Sequence, residues 1–321
     1  MAQQKLKVGV IMDPIGAITP KKDSTLAMLL EATRRGHEIH YFEQRDLSVR
    51  DGEPLGNARR LSVRDDDHDW FEFGEGDRVN LGELDVILMR KDPPFDMEYI
   101  YTTYILDRAA LKGALVVNDP EALRNINEKA YTAWFPELAP RTLVTRSMDA
   151  MRAFLAEHGH VVVKPLHGMG GASIFVIRKG DNNANVVFET LTEYGKRFAM
   201  AQTYIPEISL GDKRILLIEG EPVPYSLARI PPADDNRGNL VMGAKGKGQP
   251  LSDRDREICA TVGPVLSDNG VVFAGIDVIG DYLTEVNVTS PTGIRELDRQ
   301  FDLNIAGQMF DAIEARLDAA K

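Results

Sequence analysis

The sequence has only one cysteine, Cys259, among its 321 residues. A single cysteine excludes a disulfide within the chain and is typical of a protein in a reducing compartment. Cys259 lies in the helical pattern "DREICATVGPVL". A packed core thiol is a better interpretation of such a position than a catalytic nucleophile.

Long apolar runs, a signal-peptide pattern and an excess of positive charge are also absent. No apolar run approaches the ~20 residues that a membrane-spanning helix needs. The opening "MAQQKLKVGVIMDP" leads into a strand pattern without an apolar segment or cleavage site. The 38 basic and 49 acidic residues leave a net charge of −11, which argues against nucleic acid or an anionic membrane as the main partner. We expect a soluble, cytoplasmic protein.

The chain is long enough for two or three domains, and its first 120 residues alternate strand and helix patterns. Buried strands are predicted at "LKVGVIM", "HEIHYFE", "LDVILMR" and "ALVVND", and helices at 24–35 and in "MEYIYTTYILDRAALKG". Residues 46–82 are polar and are predicted to be irregular, with one hairpin at most. This alternation predicts an α/β domain with an open parallel sheet, whose ligands bind at the carboxyl ends of the strands. Arg90 follows a strand at such an end, where a ligand contact and a solvated salt bridge are equally good interpretations.

No G-x-G-x-x-G follows the first strand, so a dinucleotide-binding, hydride-transferring enzyme is disfavoured. The six histidines are scattered without an H-E-x-x-H pattern, which disfavours a zinc site. After the first domain the pattern changes to helices at 121–135 and 147–158, followed by strands joined through short turns. This second part is predicted to be of the α+β type.

A glycine-rich loop lies between two β-branched runs in "VVVKPLHGMGGASIFVI" (161–177). It is not a Walker A motif, because it lacks Gly-Lys-Ser/Thr and leads into a strand. Without Cβ atoms, Gly168, Gly170 and Gly171 let backbone N–H groups approach phosphate oxygens, and Ser173 adds a donor. A mobile hairpin tip is the alternative. Lys164 favours phosphate binding, since buried lysines are rare unless paired.

Two further segments are candidate nucleotide contacts. Lys129 in "NINEKAYTAWF" lies on the predicted helix, where a phosphate contact and a solvated side chain are both possible. The strand in "FAMAQTYIPE" (198–207) ends at a proline and offers backbone groups that suit an adenine edge. The alternative is that this segment is an ordinary connection between domains.

Acidic and amide side chains recur on the strands "GIDVI" and "LTEVNV". A two-residue turn would pair Asp277 with position 284 and turn Glu285 to the opposite face. A three-residue loop, 280–282, pairs Asp277 with Glu285 and sets Asn287 on the same face. We favour the three-residue loop, although a bulge would shift the count. Oxygen ligands alone suit Mg²⁺, which binds one or two carboxylates together with waters and substrate phosphates. A solvated polar face is the alternative.

A hairpin is predicted in "DKRILLIEGEPVPYSLARIP" (212–231), with its turn near residues 219–221. It brings Arg214 and Arg229 to the same end, where two guanidinium groups suit charge that develops on phosphoryl and acyl oxygens. Surface salt bridges are the alternative for each. Residues 231–250 follow as a long loop rich in glycine and charge, and we expect a mobile lid over anions.

These features occur in an order that resembles the ATP-grasp ligases. More closely, the chain resembles bacterial glutathione synthetases along nearly its whole length, through the blocks "KKDSTLAMLLEA", "DVILMRKDPPFD", "NEKAYTAWFPEL", "KPLHGMGGASIF", "LGDKRILLIEGEPVPYSLARIP" and "LTEVNVTSPTGIRE". The resemblance implies ATP-dependent joining of γ-glutamylcysteine and glycine, with Mg²⁺ (Mn²⁺ as the alternative ion) and a homotetrameric assembly.

The resemblance also implies a domain plan. Residues 1–122 would form the substrate-side pre-ATP-grasp domain, which is Rossmann-like. Residues 123–203 would form the first ATP-grasp subdomain and 204–321 the second. His167 departs from the family, in which an aspartate commonly opens the glycine loop.

By resemblance, each candidate residue receives a role. ATP would be bound by Lys129, Lys164, Gly168, Gly170, Gly171, Ser173, Gln202, Tyr204, Ile205 and Asp212. The dipeptide would contact Arg90, Arg229 and Ser290, and Arg214 would face the reacting phosphoryl group, which makes Arg214 and Arg229 the catalytic candidates. The metal would be bound by Asp277, Glu285 and Asn287. Another ATP-grasp peptide ligase, or a nucleotide-binding regulator without catalysis, remains an alternative.

Overall fold

The computed structural model describes residues 5–168, 172–230 and 245–320. Its strands are β1 (Lys7–Ile11), β2 (Glu38–Phe42), β3 (Leu47–Arg50), β4 (Glu53–Val63), β5 (Phe71–Asn80), β6 (Val86–Met89), β7 (Leu115–Val117), β8 (Thr142–Thr145), β9 (His160–Pro165), β10 (Phe175–Arg178), β11 (Ala199–Thr203), β12 (Asp212–Ile218), β13 (Glu221–Ile230), β14 (Lys245–Pro250), β15 (Phe273–Ile279) and β16 (Tyr282–Asn287). Its helices are α1 (Ser24–Arg34), α2 (Met97–Leu111), α3 (Pro120–Asn125), α4 (Met148–His158), α5 (Ala184–Thr192), α6 (Asp253–Asp268), α7 (Ile294–Phe301) and α8 (Ile305–Ala319). Within these described ranges, no helix is long and apolar enough to cross a membrane.

The first sheet has the strand order β3-β4-β2-β1-β6-β7, with β5 paired to β4. Its central strands β2, β1, β6 and β7 are parallel and almost fully buried, as their continuous apolar runs predict. One face of β1 packs with α1 and α8 and the other with α2, so both faces are covered. The predicted open parallel sheet is confirmed.

The prediction that residues 46–82 are irregular is wrong. They form β3, β4 and β5, and the antiparallel pair β4–β5 extends the first sheet. Along β4 the buried positions alternate with exposed ones, apart from a shift near Arg60. One face of this hairpin meets solvent, which gives the segment its polar composition and hides its strand character.

Two smaller antiparallel sheets follow. The second has the order β10-β9-β11-β8, with α4 and α5 packed on one face. The third has the order β14-β13-β12-β15-β16. Its hairpin β12–β13 is the one that the sequence predicts, and Cys259 is buried in α6 nearby, as expected of a core thiol.

The predicted loop over residues 231–250 needs correction at its end. Residues 245–250 form β14, which pairs along β13 with Lys245 opposite Ile230. Alternating glycine and lysine concealed this edge strand in the sequence. Residues 231–244 lie outside the described part of the chain, as do Gly170 and Gly171 of the glycine loop.

The helix predicted from Glu121 to Phe135 is interrupted. Helix α3 ends at Asn125, and a short 3₁₀ turn begins only at Ala130. Between them the Asn127 side chain accepts hydrogen bonds from the backbone N–H groups of Lys129 and Ala130 at 3.2 and 2.9 Å. Asparagine commonly competes with a helix in this way. The break sets residues 126–129 against β16, where the backbone N–H of Val286 donates to the carbonyl of Glu128 at 2.7 Å.

Asn118 joins the first sheet to the third. It follows β7 and is 4% exposed, and both its amide nitrogen and its amide oxygen make hydrogen bonds. Its Nδ2 donates to the carbonyls of Phe273 and Val288 at 2.7 and 2.6 Å. Its Oδ1 accepts from the backbone N–H groups of Val272 and Phe273, each at 2.9 Å. One side chain therefore fixes the start of β15 and the end of β16 beside the parallel sheet.

We predict that Asn118→Ala lowers the free energy of unfolding by about 3 kcal/mol, because it leaves several buried backbone groups without partners. Urea denaturation monitored by circular dichroism measures this change. Asn125→Ala is the matched control, since Asn125 is exposed and makes only a 3.4 Å contact with Glu121. Equal stability of the two variants would contradict the proposed role of Asn118 as a junction.

Candidate active site

The β15–β16 hairpin brings the acidic candidates together. Its turn has two residues, because Ile279 pairs with Tyr282, so the predicted three-residue loop is wrong. A bulge at Thr284 then shifts the register, and Asp277 pairs with Glu285 and Gly275 with Asn287. The predicted pairing is therefore confirmed, although the bulge and not the turn produces it.

Asp277 is the most buried acid of this face and is held by two arginines. Arg214 donates from Nε to Oδ1 at 2.5 Å and from Nη2 to Oδ2 at 2.8 Å. Arg229 Nη2 lies 2.8 Å from Oδ2. Burial by itself raises the pKa of the Asp277 carboxyl, but Arg214 and Arg229 outweigh it and the pKa is lowered. The carboxylate therefore stays ionised.

Arg229 also contacts Asp212, the residue opposite it in the β12–β13 pair, with Nη2 2.5 Å from Oδ2. Burial raises the pKa of Asp212 to about 6, against the lowering effect of Arg229 and with a further increase from Asp277. Both predicted catalytic arginines are thus buried at one end of the hairpin, as the sequence indicates. A surface salt bridge is excluded for each, since both are 7% exposed.

Glu285 faces two buried lysines that come from other elements. Lys164 on β9 lies 3.9 Å from Glu285 Oε1, and Lys129 lies 3.7 Å from the same oxygen. Burial lowers the pKa of the Lys164 ammonium, whereas Glu285 and Glu128 raise that of Lys129 above its ordinary value despite burial. The solvated interpretation of Lys129 is wrong. The helix break, not a helix face, directs it inward.

Glu128 is a residue of this cluster that the sequence reasoning missed. Its carboxylate accepts a hydrogen bond from the Lys129 ammonium and lies close to Glu285 and Asp277. Burial, with Glu285 next, raises the pKa of Glu128. An acid that precedes a candidate lysine is a weak signal in a sequence, because on an unbroken helix the two side chains would point in different directions.

The start of the glycine loop lies against this cluster. Lys129 Nζ donates to the carbonyl of Gly168 at 3.0 Å, and Asn127 Nδ2 donates to that of Leu166 at 3.2 Å. On the far side of the loop Ser173 is exposed and has a positive φ of 59°. The described start of the loop therefore contacts Lys129, as a phosphate site would require.

The candidate nucleotide contacts Gln202, Tyr204 and Ile205 lie at the end of β11, beside β9. The backbone N–H of Tyr204 donates to the carbonyl of His160 at 3.0 Å, and the two rings stack with their centroids 4.0 Å apart. Gln202 is buried and its Nε2 donates to Thr142 Oγ1 at 3.0 Å. Ile205 is buried next to it. Gln202 lies on the same face of the sheet as Lys164, because Lys164 pairs with Met200, which is two residues before Gln202 on β11.

Arg90 lies at the carboxyl end of β6 and is buried. Its Nε donates to Thr25 Oγ1 at 3.1 Å and its Nη2 to the carbonyl of Pro291 at 3.0 Å. Burial lowers the pKa of this guanidinium. Ser290 donates to Asp92 Oδ1 at 2.5 Å. The solvated salt bridge is therefore the wrong alternative for Arg90, whose charge is desolvated next to the segment that follows β16.

The contacts around Asp277 and Glu285 form one cluster with buried charges of both signs. Its cations can bind phosphoryl and carboxylate oxygens, and its acids and amide are hard oxygen donors. Considering only the residues that the structure describes, no three acidic, histidine or cysteine side chains converge closely enough to hold a metal ion by themselves. The chemistry that fits is binding and charge neutralisation of an anionic ligand.

Comparison with known proteins agrees with this chemistry. Residues 6–124 match the family model of the prokaryotic glutathione synthetase N-terminal domain, and residues 128–302 match that of its ATP-grasp domain. The glutathione synthetase of Vibrio parahaemolyticus is 54% identical over 312 residues, which cover 97% of this chain and 99% of the relative. That of Yersinia pestis is 56% identical over 313 residues, which cover 97% and 98%.

Solved structures show the same fold at low sequence identity. The D-cycloserine synthetase DcsG has a TM-score of 0.68 at 15% identity, covering 97% of this chain and 99% of that one. The ATP-grasp ligase PsnB in complex with a minimal precursor has a TM-score of 0.65 at 17% identity, with the same coverage. The α/β fold with ATP-grasp subdomains is confirmed. Both family models and the identity over nearly the full length show that the chain belongs to the prokaryotic glutathione synthetase family.

Proposed function

We propose that this protein joins γ-glutamylcysteine to glycine with ATP, releasing glutathione, ADP and phosphate. The observation that carries the proposal is the cluster in which Lys129, Lys164, Arg214 and Arg229 surround Asp277 and Glu285, in a chain of this family. Four buried cations in one place suit a reaction whose substrates and intermediates are phosphorylated or carboxylated.

The reaction needs two steps, because a carboxylate is a poor acyl donor. First, an oxygen of the cysteinyl carboxylate attacks the γ-phosphorus of ATP, and the bond to ADP breaks. The amine of glycine then attacks the acyl carbon, a C–N bond forms, phosphate leaves with the bonding pair, and the ammonium proton is lost. The protein's part is alignment and charge neutralisation, since phosphoryl transfer requires little covalent help. We assign this part to Arg214 and Arg229.

A divalent cation fits the acidic face. We infer that Asp277, Glu285 and Asn287 would hold Mg²⁺ or Mn²⁺ together with the ATP phosphates. Mg²⁺ is commonly bound through one or two carboxylates with substrate phosphates completing its shell, so three convergent acids are not required. When bound, the ion neutralises charge on the transferred phosphoryl group. Support comes from the grouping of Glu128, Asp277 and Glu285: burial raises the pKa of Glu128 most, and the charges of Glu285 and Asp277 raise it further, against the lowering effect of Lys129.

We infer the remaining roles from the positions described above and, for Gly170 and Gly171, which lie outside the described residues, from the family alone. The nucleotide is assigned to Lys129, Lys164, Gly168, Gly170, Gly171, Ser173, Gln202, Tyr204, Ile205 and Asp212, and the dipeptide to Arg90, Arg229 and Ser290. For the domains we propose the divisions 1–122, 123–203 and 204–321. The net charge of −11 and the single buried cysteine favour a cytoplasmic protein without nucleic-acid or membrane partners.

We also propose that the protein is a homo-oligomer that pairs through α2. An exposed apolar stripe runs along this helix at spacings of four, three and seven residues, which keep it on one face. It consists of Met97, Tyr101, Tyr104 and Leu111, which are 51–75% exposed. Such a contiguous stripe suits another helix as its partner.

The charges favour α2 of a second copy of the chain as the partner, packed antiparallel across a two-fold axis. The N-terminal end of α2 carries Asp96 and Glu98, and the C-terminal end carries Arg108 and Lys112. Antiparallel pairing sets acidic ends beside basic ends and opposes the helix dipoles.

The first prediction tests the reaction. Incubation with Mg-ATP, γ-glutamylcysteine and glycine is expected to give the tripeptide and ADP in equal amounts by mass spectrometry and a coupled ADP assay. Reactions that lack either amino-acid substrate are the controls. Release of ADP only with other substrates, such as glutamate or alanine, would indicate another peptide ligase. No ADP with any amino acid would indicate a regulator.

The second prediction concerns the acidic face. Glu285→Ala is expected to lower kcat by about 100-fold or more, the scale of losing one preorganised electrostatic contact in an active site. Steady-state kinetics over a range of Mg²⁺ concentrations measures it. Glu157→Ala serves as control, since that side chain is 73% exposed on α4. Wild-type turnover in Glu285→Ala would remove this residue from the metal site.

The third prediction concerns assembly. Tyr104→Glu is expected to lower the molar mass found by size-exclusion chromatography with light scattering, because it buries like charges at the centre of the α2 pair. Val186→Glu, at an equally exposed apolar position on α5, should keep the wild-type mass. An unchanged mass in Tyr104→Glu would exclude pairing through α2.

A further inference from the structure

Glu128 is held in a fixed position beside the strand that carries two of the proposed metal ligands. Its backbone carbonyl accepts from the N–H of Val286 at 2.7 Å, and Val286 lies between Glu285 and Asn287. The Glu128 carboxylate lies 3.3 Å from the Asn287 amide and close to Glu285 and Asp277. No role in the reaction described above uses it.

The Asn287 side chain is the group that Glu128 can orient. In one orientation of the amide, Nδ2 donates to Glu128 Oε2 at 3.3 Å and Oδ1 accepts from Arg214 Nη2 at 3.3 Å. In the other, Nδ2 lies 3.3 Å from Asp277 Oδ2, but the amide oxygen then faces the Glu128 carboxylate and the amide nitrogen faces the Arg214 donor. The first orientation satisfies Glu128 and Arg214 and sets the amide oxygen 3.3 Å from Asp277 Oδ2, whereas the second satisfies Asp277 alone. Glu128 and Arg214 therefore both favour the orientation that turns the amide oxygen toward Asp277.

This orientation matters for a cation. Only the oxygen of a carboxamide can bind a hard metal ion, and the two ends of the amide have the same size, so packing alone cannot choose between them. A neighbouring acceptor that binds the amide N–H fixes the oxygen on the opposite side. Partners of this kind orient metal ligands in many sites.

Glu128 also contacts Lys129, so the alternative is that Glu128 only stabilises the fold. With Asp212, Asp277 and Glu285 it makes four acids against the four cations Lys129, Lys164, Arg214 and Arg229, so it balances the cluster. Charge balance would stabilise the folded protein. It would not make metal binding depend on Asn287 in particular.

We propose that Glu128 is a positioning residue that orients the Asn287 amide oxygen for the divalent cation of the nucleotide site. The inference rests on the proposed function, since it requires a metal-nucleotide complex at this face. It names a residue that acts through Asn287 and does not itself bind the ion.

The experiment measures Mn²⁺ binding by electron paramagnetic resonance in the presence of a non-hydrolysable ATP analogue. Glu128→Met keeps the side-chain length but cannot accept a hydrogen bond, and is expected to weaken Mn²⁺ binding by about 10- to 100-fold, as loss of an orienting partner does elsewhere. Glu128→Gln retains an acceptor and should lose less. Glu121→Gln, at an exposed acid of α3, should bind Mn²⁺ as the wild type does.

The decisive arm repeats Glu128→Met in an Asn287→Asp background. A carboxylate offers oxygen at both ends and needs no orientation, so the further loss caused by Glu128→Met should disappear there. A loss that persists in this background would mean that Glu128 binds the metal directly or acts through Lys129, and would overturn the proposal. Mn²⁺ binding by Glu128→Met within twofold of the wild type would overturn it as well.

Two checks keep the outcomes distinct. Thermal unfolding of each variant shows whether it folds, and Glu128→Gln replaces Glu128→Met in both backgrounds should the latter fail to fold. The wild-type protein must bind Mn²⁺ with the ATP analogue and produce the tripeptide. Failure of the wild type would count against the proposed function, whereas failure confined to the predicted Glu128 effects would count against this inference alone.

Discussion

The site depends on the burial of Asp277 between Arg214 and Arg229. Removing one partner of such a buried ion pair leaves an uncompensated charge, which typically costs 3–5 kcal/mol. The three side chains come from three adjacent strands of one sheet, β15, β12 and β13, so backbone pairing sets their spacing before any ligand arrives. Rigid strands hold the guanidinium groups in the desolvated positions in which they act most strongly on an oxyanion.

The second half of the cluster is assembled differently. Lys164 comes from the second sheet, and Glu128 and Lys129 come from the interrupted helix after the first domain. β16 gives them a common framework, through the Val286–Glu128 hydrogen bond and the contacts of both lysines with Glu285. The phosphate-binding side of the site therefore lies where separate parts of the chain meet. Relative movement of these parts would change the lysine positions and leave the Asp277 pair intact.

Local irregularities decide which side chains face each other. The bulge at Thr284 brings Glu285 opposite Asp277 after a turn that would otherwise have paired the wrong residue. The Asn127 side chain ends a helical pattern and turns Lys129 inward. Gly275 leaves room for Arg214, since a Cβ there would lie 2.8 Å from its Cδ and 2.9 Å from Pro291. Each of these irregularities involves a single residue, and its effect depends on the neighbouring segment that it contacts.

Elements that are set by local periodicity could be predicted from the sequence. These are the parallel strands β1 and β6, the helices α1 and α2, and the β12–β13 hairpin with its two arginines. Continuous apolar runs and regular spacing predict an element without knowledge of the distant segments that pack on it. The sequence could not determine that residues 46–82 form strands, that residues 245–250 form an edge strand, or that Glu128 joins the cluster. Those outcomes depend on pairing and burial between segments far apart in the chain, and only the tertiary structure supplies the neighbours that decide them.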